Sequence, residues 1–325
     1  MPTTPATSTT TSTMSNLIQT AYDKYIEFNL RSEPMFRKFA DKRPVDVTNP
    51  GNTVIFQVYK DLSRATTALT QTQDPDAVTL NNTDKVNVVV DEYGNAVITT
   101  ERLALESISA IDPAVADMLS FNMRDSLDAL VWNKLTSLAT GRWTGTTSAD
   151  ETTINGEDVS SSTTAPYISS ALARKAVAKL RGASVQPREG GFYTALIHPD
   201  VSFDLRSEAA SSGNVSWQLP HTYTEAGVAN LWNGEIGIFD QVRYIETPRA
   251  ESVSGSGTSK VYATVLLGKQ ALVEAVSYEP KTVIGPVTDK LMRFRPAGWK
   301  GLLGWNVYRK EARYVIKTKS SIASA

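Results

Sequence analysis

The chain has 325 residues, with 33 Lys and Arg against 34 Asp and Glu, no cysteine and two histidines. A composition of 41% hydrophobic and 21% charged residues is that of a folded protein of about two domains, or one elaborate one. The absence of cysteine excludes disulfides, thiolate zinc sites, iron–sulfur clusters and cysteine nucleophiles, and the near-neutral total argues against a whole-molecule nucleic-acid binder. No apolar run reaches the ~18 residues of a spanning helix, and no Lys or Arg precedes Lys24, so neither a membrane span nor an export signal is read; the expectation is a soluble protein retained in a cytoplasm.

Residues 1–13 hold seven Thr, two Ser and two Pro and no charge, the composition of a flexible tail. From Ser15, Ile18, Tyr22, Tyr25, Ile26 and Leu30 repeat at helical steps, and Pro34 limits the stripe. Thr53–Tyr59 and Lys85–Val90 read as two strands of a long hairpin. Between them lies a polar, Thr-rich stretch with the turn signal Asp74-Pro75-Asp76, too long for a tight turn and too polar for a core. It reads as a protruding loop. After Asp112-Pro113, apolar residues at Val115, Met118, Leu119, Met123, Leu127, Leu130, Val131, Leu135 and Leu138 predict one helix over 112–139, stopped by Gly141. Further on, a helix is expected over 169–181, a short buried strand over 192–197, a helix from Pro199 through Arg206, and strands over 235–246, 260–267, 271–276, 302–309 and 313–317. No solenoid repeat is present.

Nothing in this order forms a catalytic constellation. There is no G-x-S-x-G elbow, Gly268-Lys269 lacks the rest of a P-loop, and Gly255-Ser-Gly257 lacks the rest of a dinucleotide fingerprint. The acidic pairs Asp74/Asp76, Asp150/Glu151 and Glu157/Asp158 read as solvated loop charges, and His198, before Pro199, as a helix-start residue. No catalytic, metal or cofactor residue is assigned.

The charge is unevenly placed. Residues 281–325 hold ten basic groups against two acidic ones, whereas residues 65–158 hold fifteen acidic against five basic. Aromatic residues are interleaved with the C-terminal cations, a composition that single-strand binders use, although solvated strand faces and a basic surface that receives an acidic element of another copy give the same pattern.

Taken in order, the helix and tail at 15–39, the hairpin at 52–92, Tyr93-Gly-Asn-Ala-Val-Ile-Thr-Thr100, the helix at 112–138, Phe192–Leu205 (FYTALIHPDVSFDL), Gly268–Leu272 and Gly298–Arg313 resemble the tailed-bacteriophage major capsid protein family, whose fold is shared with encapsulin shells. The resemblance implies an α+β fold with an N-terminal arm (1–48), an extended β-hairpin loop (49–92), a peripheral domain with a long spine helix (93–141), an α/β axial domain (142–284) and return strands to the peripheral domain (285–325). It implies a structural, non-enzymatic subunit that self-assembles into pentamers and hexamers of an icosahedral shell around double-stranded DNA, itself contacted weakly at most. It also implies assembly in the host cytoplasm, with a separate scaffolding protein because fewer than 50 residues precede the hairpin, together with a portal and a decoration protein as further partners. Lys60 and Lys85 lie on the loop, but nothing marks either for an isopeptide cross-link. Candidate inter-subunit contacts are Lys60, Arg64, Asp74, Asp76 and Asp84 on the loop and Arg293, Arg295, Arg309, Lys310 and Arg313 in the basic section. An encapsulin-like nanocompartment and a nucleic-acid-binding module built on the basic aromatic section are the alternatives.

Overall fold

The structure, a computed structural model, describes residues 31–44, 52–59, 62–66, 68–69, 71–72, 83–106, 111–137, 142–144, 167–211, 234–250, 252–253, 261–286, 291, 293–318 and 320–322. The tail at 1–13, the helical stripe from Ser15 to Leu30, and Leu138 and Gly141 lie outside them.

Among the described residues, two sheets and a ribbon organise the fold. The first sheet has four strands in the order β1 (Asp41–Pro44), β11 (Leu272–Ile284), β12 (Phe294–Val307) and β4 (Asp91–Thr100). The second is mixed and seven-stranded. Its path runs β5 (Arg142–Thr144), β13 (Arg313–Thr318), β10 (Val261–Leu267), β6 (Tyr193–Ile197), β8 (Val242–Glu246) and β7 (Glu235–Phe239), with β9 (Ser252–Val253) paired to β10. The ribbon is β2 (Thr53–Tyr59) against β3 (Thr83–Val89), in a register that sets Thr53 opposite Val89.

The long helix α2 (Ile111–Thr136) follows the short α1 (Glu101–Glu106) and is the wall between the two sheets. At 1.5 Å per residue its 26 residues span about 39 Å. Leu119, Leu127, Val131, Trp132 and Leu135 share one core cluster with Leu272, Leu303 and Trp305 of the first sheet and Leu196, Val265, Leu267 and Val315 of the second. Burial deepens toward the C-terminal end: Met118, on the same sequence stripe, is 55% exposed. On its other face the second sheet packs on α3 (Ser170–Gly182) and α4 (Pro199–Ser211) through Ala173, Ala176, Leu180, Val201 and Leu205. Ser169 caps α3, its hydroxyl accepting from the Leu172 N–H at 3.2 Å.

Alternation along β11 assigns its two faces. Leu272 belongs to the core with α2, while Val273 and Ala275 pack with Val88 and Val90 at the base of the ribbon. The ribbon therefore crosses the face of the four-stranded sheet opposite the helix. That crossing requires Gly304: a Cβ there would lie 2.0 Å from the Val89 carbonyl oxygen.

Several expectations need correction. The region 235–246 is two strands, because Asp240 and Gln241, both at positive φ (49° and 61°), turn the chain after Phe239. The sheets also cut across the expected boundary at 284/285. Leu272–Ile284 lies in the four-stranded sheet, and Arg313–Thr318 joins the larger one between β10 and β5 rather than returning to the first.

The long helix ends at Thr136, where Arg313 closes it. This fully buried guanidinium donates from Nη1 to the carbonyls of Lys134 (2.7 Å) and Leu135 (2.6 Å) and from Nη2 to that of Ser137 (3.0 Å). Cationic donors at a helix C-terminus satisfy its orphan carbonyls and complement its dipole. Burial pulls the Arg313 pKa down to about 10. Arg313→Met keeps most of the volume and strands three acceptors, so we expect a loss of about 2–4 kcal/mol in urea unfolding. A change below about 0.5 kcal/mol would show that the cap contributes little.

Candidate functional site

Among the described residues no group of three or more His, Asp or Glu is placed to hold a metal ion, and no helix is long and apolar enough to cross a membrane. The surfaces with chemical character are the projecting ribbon, the outer face of the four-stranded sheet, and the segment 31–44 on α2.

The ribbon leaves the body quickly. Val54, Phe56 and Val88 face the sheet, Val90 N–H donates to Asn52 O (2.8 Å), and Asn306 Nδ2 donates to Asn87 O (2.7 Å). The other face of the ribbon is open to solvent, with Ile55 54% and Tyr59 70% exposed, and Leu69 in the connecting stretch is 76% exposed. Of the expected contacts here, Arg64 is exposed, and Asp84 stands opposite Val58 in the ribbon. Lys60, Asp74 and Asp76 lie outside the described residues.

The basic section does not form one patch. Arg293 and Arg295 are exposed at the start of β12, with the Arg293 guanidinium 5.6 Å from the Phe294 ring. Arg309 and Lys310 are exposed past its other end, where Arg309 rims a separate cleft with Lys269 and Glu311. The 14 residues of β12 put about 46 Å between the pairs. Arg313 is inside the protein as the helix cap, so its expected role as a contact is withdrawn.

Near the Arg293 end, Lys281 of β11 stands directly opposite Lys300 of β12, and both are exposed. Like charges at opposed positions are unfavourable on a sheet unless an anion joins them. Beside them an open cleft of about 450 Å³ is floored by Gly94, Ala96, Pro296 and Gly298 and walled by Val283. Ile98 (64% exposed), opposite Pro296, extends this apolar surface toward the strand end.

The segment 31–44 is held along a ridge of α2 that presents one side chain per turn. Arg31 pairs with Asp117 (3.5 Å) and lies over the Phe121 ring (4.7 Å); Phe36 stacks on Trp132 at 4.7 Å. Between them the buried Asp128 carboxylate accepts from the backbone N–H groups of Phe36 (2.6 Å) and Arg37 (3.2 Å) and from Arg249 Nε (3.0 Å). Arg249 also binds Asp125 and donates to Ser32 Oγ (3.5 Å). On the sheet side Arg37 Nε donates to the buried Glu274 (2.7 Å) and Nη2 to Glu279 (3.0 Å). Sequence reading missed this network, although a carboxylate at Asp128 inside the apolar stripe of Leu127, Val131 and Leu135 was its visible signal.

Burial pushes the Asp128 carboxyl above the usual carboxylate range, against the pull of Arg249 and the two N–H donors. Burial does the same to Glu274, against Arg37. A carboxyl whose folded pKa lies above its unfolded value favours folding most below the unfolded pKa, and that contribution is lost as pH rises through the folded one. Mild acid therefore does not release the segment through these groups. Hydrogen exchange at Phe36–Phe39, corrected for intrinsic rates, is expected to be no faster at pH 4.5 than at pH 7. A tenfold acceleration would contradict this.

Residues 7–313 match the family model described as phage capsid protein. Among solved structures, the fold is shared with the capsid of Ralstonia phage GP4 at a TM-score of 0.71 and 13% identity, covering 98% of this chain and 100% of that one. It is also similar to the cyanophage Pam1 capsid (0.66, 16% identity, 99% and 100% covered) and to the acidic stable capsid of Helicobacter pylori bacteriophage KHP30 (0.66, 14%, 97% and 99%). No curated protein sequence matches the chain.

Proposed function

The chain belongs to the phage capsid protein family; from that premise we propose that it is a structural subunit of a tailed-phage shell whose copies join through the ribbon, laid on the outer face of a neighbour's four-stranded sheet. In this reading the copies form pentamers and hexamers of an icosahedral shell around double-stranded DNA. Assembly takes place in the host cytoplasm with a separate scaffolding protein and a portal.

The observation that carries the proposal is the opposed pair Lys281 and Lys300 beside an apolar cleft, on a sheet face that the chain's own ribbon covers only at the other end. The stretch between the ribbon strands carries Asp74 and Asp76 and is the complementary acidic element. A two-stranded ribbon is marginal alone in water, so one that projects with apolar residues on show gains from a second surface. Each rim ion pair contributes only about 0–1 kcal/mol, but a shell repeats every contact many times. The nanocompartment alternative is not favoured, since the matching family is that of phage capsid protein. The nucleic-acid module loses its support with the division of the basic section between two ends of β12 and the burial of Arg313.

Reversing both lysines (Lys281→Glu with Lys300→Glu) is expected to abolish shells in sedimentation and negative-stain microscopy while leaving the subunit folded. Adding Asp74→Lys and Asp76→Lys is expected to restore part of the yield. Shells of unchanged yield and salt sensitivity in the lysine variant would overturn the proposed contact.

A further inference from the structure

The base of the ribbon is tied to the rest of the chain by a side chain of the segment 31–44. Arg43 lies on β1 in register with Ala275 of β11, the residue that packs under Val88 and Val90. Its guanidinium sits over two rings at once, 5.2 Å from the centroid of Phe56 on the ribbon and 4.5 Å from that of Tyr308 just past β12. It makes no ion pair with a carboxylate among the described residues, so the two ring faces are its electrostatic partners. Phe56 is also the last residue of β2 that packs on the sheet before the ribbon projects, so the contact falls where the ribbon would hinge.

The same short segment is fixed at its other end by Asp128 and Glu274, through Phe36 and Arg37. Segment and ribbon are thus joined by one cation, while the two anchors face opposite sides of the four-stranded sheet: Glu274 lies between Val273 and Ala275 on β11 and points the other way. We propose that Arg43 is a strap that couples the two, so that docking of residues 31–44 on α2 and β11 fixes the angle at which the ribbon leaves the body, and loosening of that segment frees the ribbon. The coupling is internal to one chain and holds whether or not the ribbon reaches a neighbour.

Hydrogen exchange of the full-length chain, with all variants held in the same assembly state by sedimentation, tests the strap. Arg43→Met keeps the aliphatic stem and removes the cation; it is expected to speed exchange on the order of tenfold at ribbon amides 54–58 and 85–89, with amides 273–276 of β11 unchanged. Arg43→Lys is expected to recover part of the protection. Glu274→Gln weakens the other anchor, and is expected to speed exchange at 36–39 and at the ribbon in the natural background, but at 36–39 alone when combined with Arg43→Met. The proposal is overturned if Arg43→Met leaves the ribbon unchanged, if it loosens ribbon and β11 alike, or if Glu274→Gln affects the ribbon equally with and without Arg43. None of these readings depends on shell formation, so failure of the lysine reversal above and failure of the strap are separate results.

Discussion

One buried carboxylate holds the parts of this chain in relation to one another. Asp128 sits on the long helix with almost no solvent contact, and an ionised group there is tolerated only if it is fully bonded. It is: two backbone N–H groups from the segment 31–44 and the guanidinium of Arg249, which follows β8 of the larger sheet, converge on its two oxygens. Three stretches far apart in sequence thus meet at one point on α2. From there the segment runs on to pair with β11 as β1, which places Arg43 beside the ribbon.

The layering that results divides the labour of a shell subunit. The helix and the inner faces of the two sheets form a core that the chain completes by itself. The far face of the four-stranded sheet and the ribbon are only partly covered, and their uncovered areas carry apolar side chains and opposed charges. Such surfaces are costly on a solitary protein and useful on one that meets copies of itself. The chemistry of the chain agrees with this, since its most strongly bonded charges are buried in structural networks rather than gathered at a cleft.

Much of this was legible in the sequence because it follows from local rules. The ribbon strands, the long helix after Asp112-Pro113 and the strand–His198-Pro199–helix step all announce themselves through periodicity, capping chemistry or turn residues. The turn at Asp240-Gln241 was missed because its residues are uncommon in a tight hairpin turn, where Asn-Gly or Asp-Gly would have signalled it. The partners of Asp128, the burial of Arg313 and the contacts of Arg43 were not legible, because each joins residues more than ten positions apart and none leaves a local pattern. A cluster of cations in the sequence reads as one surface, yet a 14-residue strand and a 3-10 turn distribute it between two surfaces and the interior.

Whether Asp128 fixes the segment 31–44 and the larger sheet to the helix is read from urea unfolding of Asp128→Ala. Truncation leaves Arg249 with Asp125 as its remaining carboxylate and the Phe36 and Arg37 N–H groups without their acceptor, so a loss of about 3–5 kcal/mol is expected. A loss below about 0.5 kcal/mol, with the midpoint and slope of the natural chain retained, would contradict it.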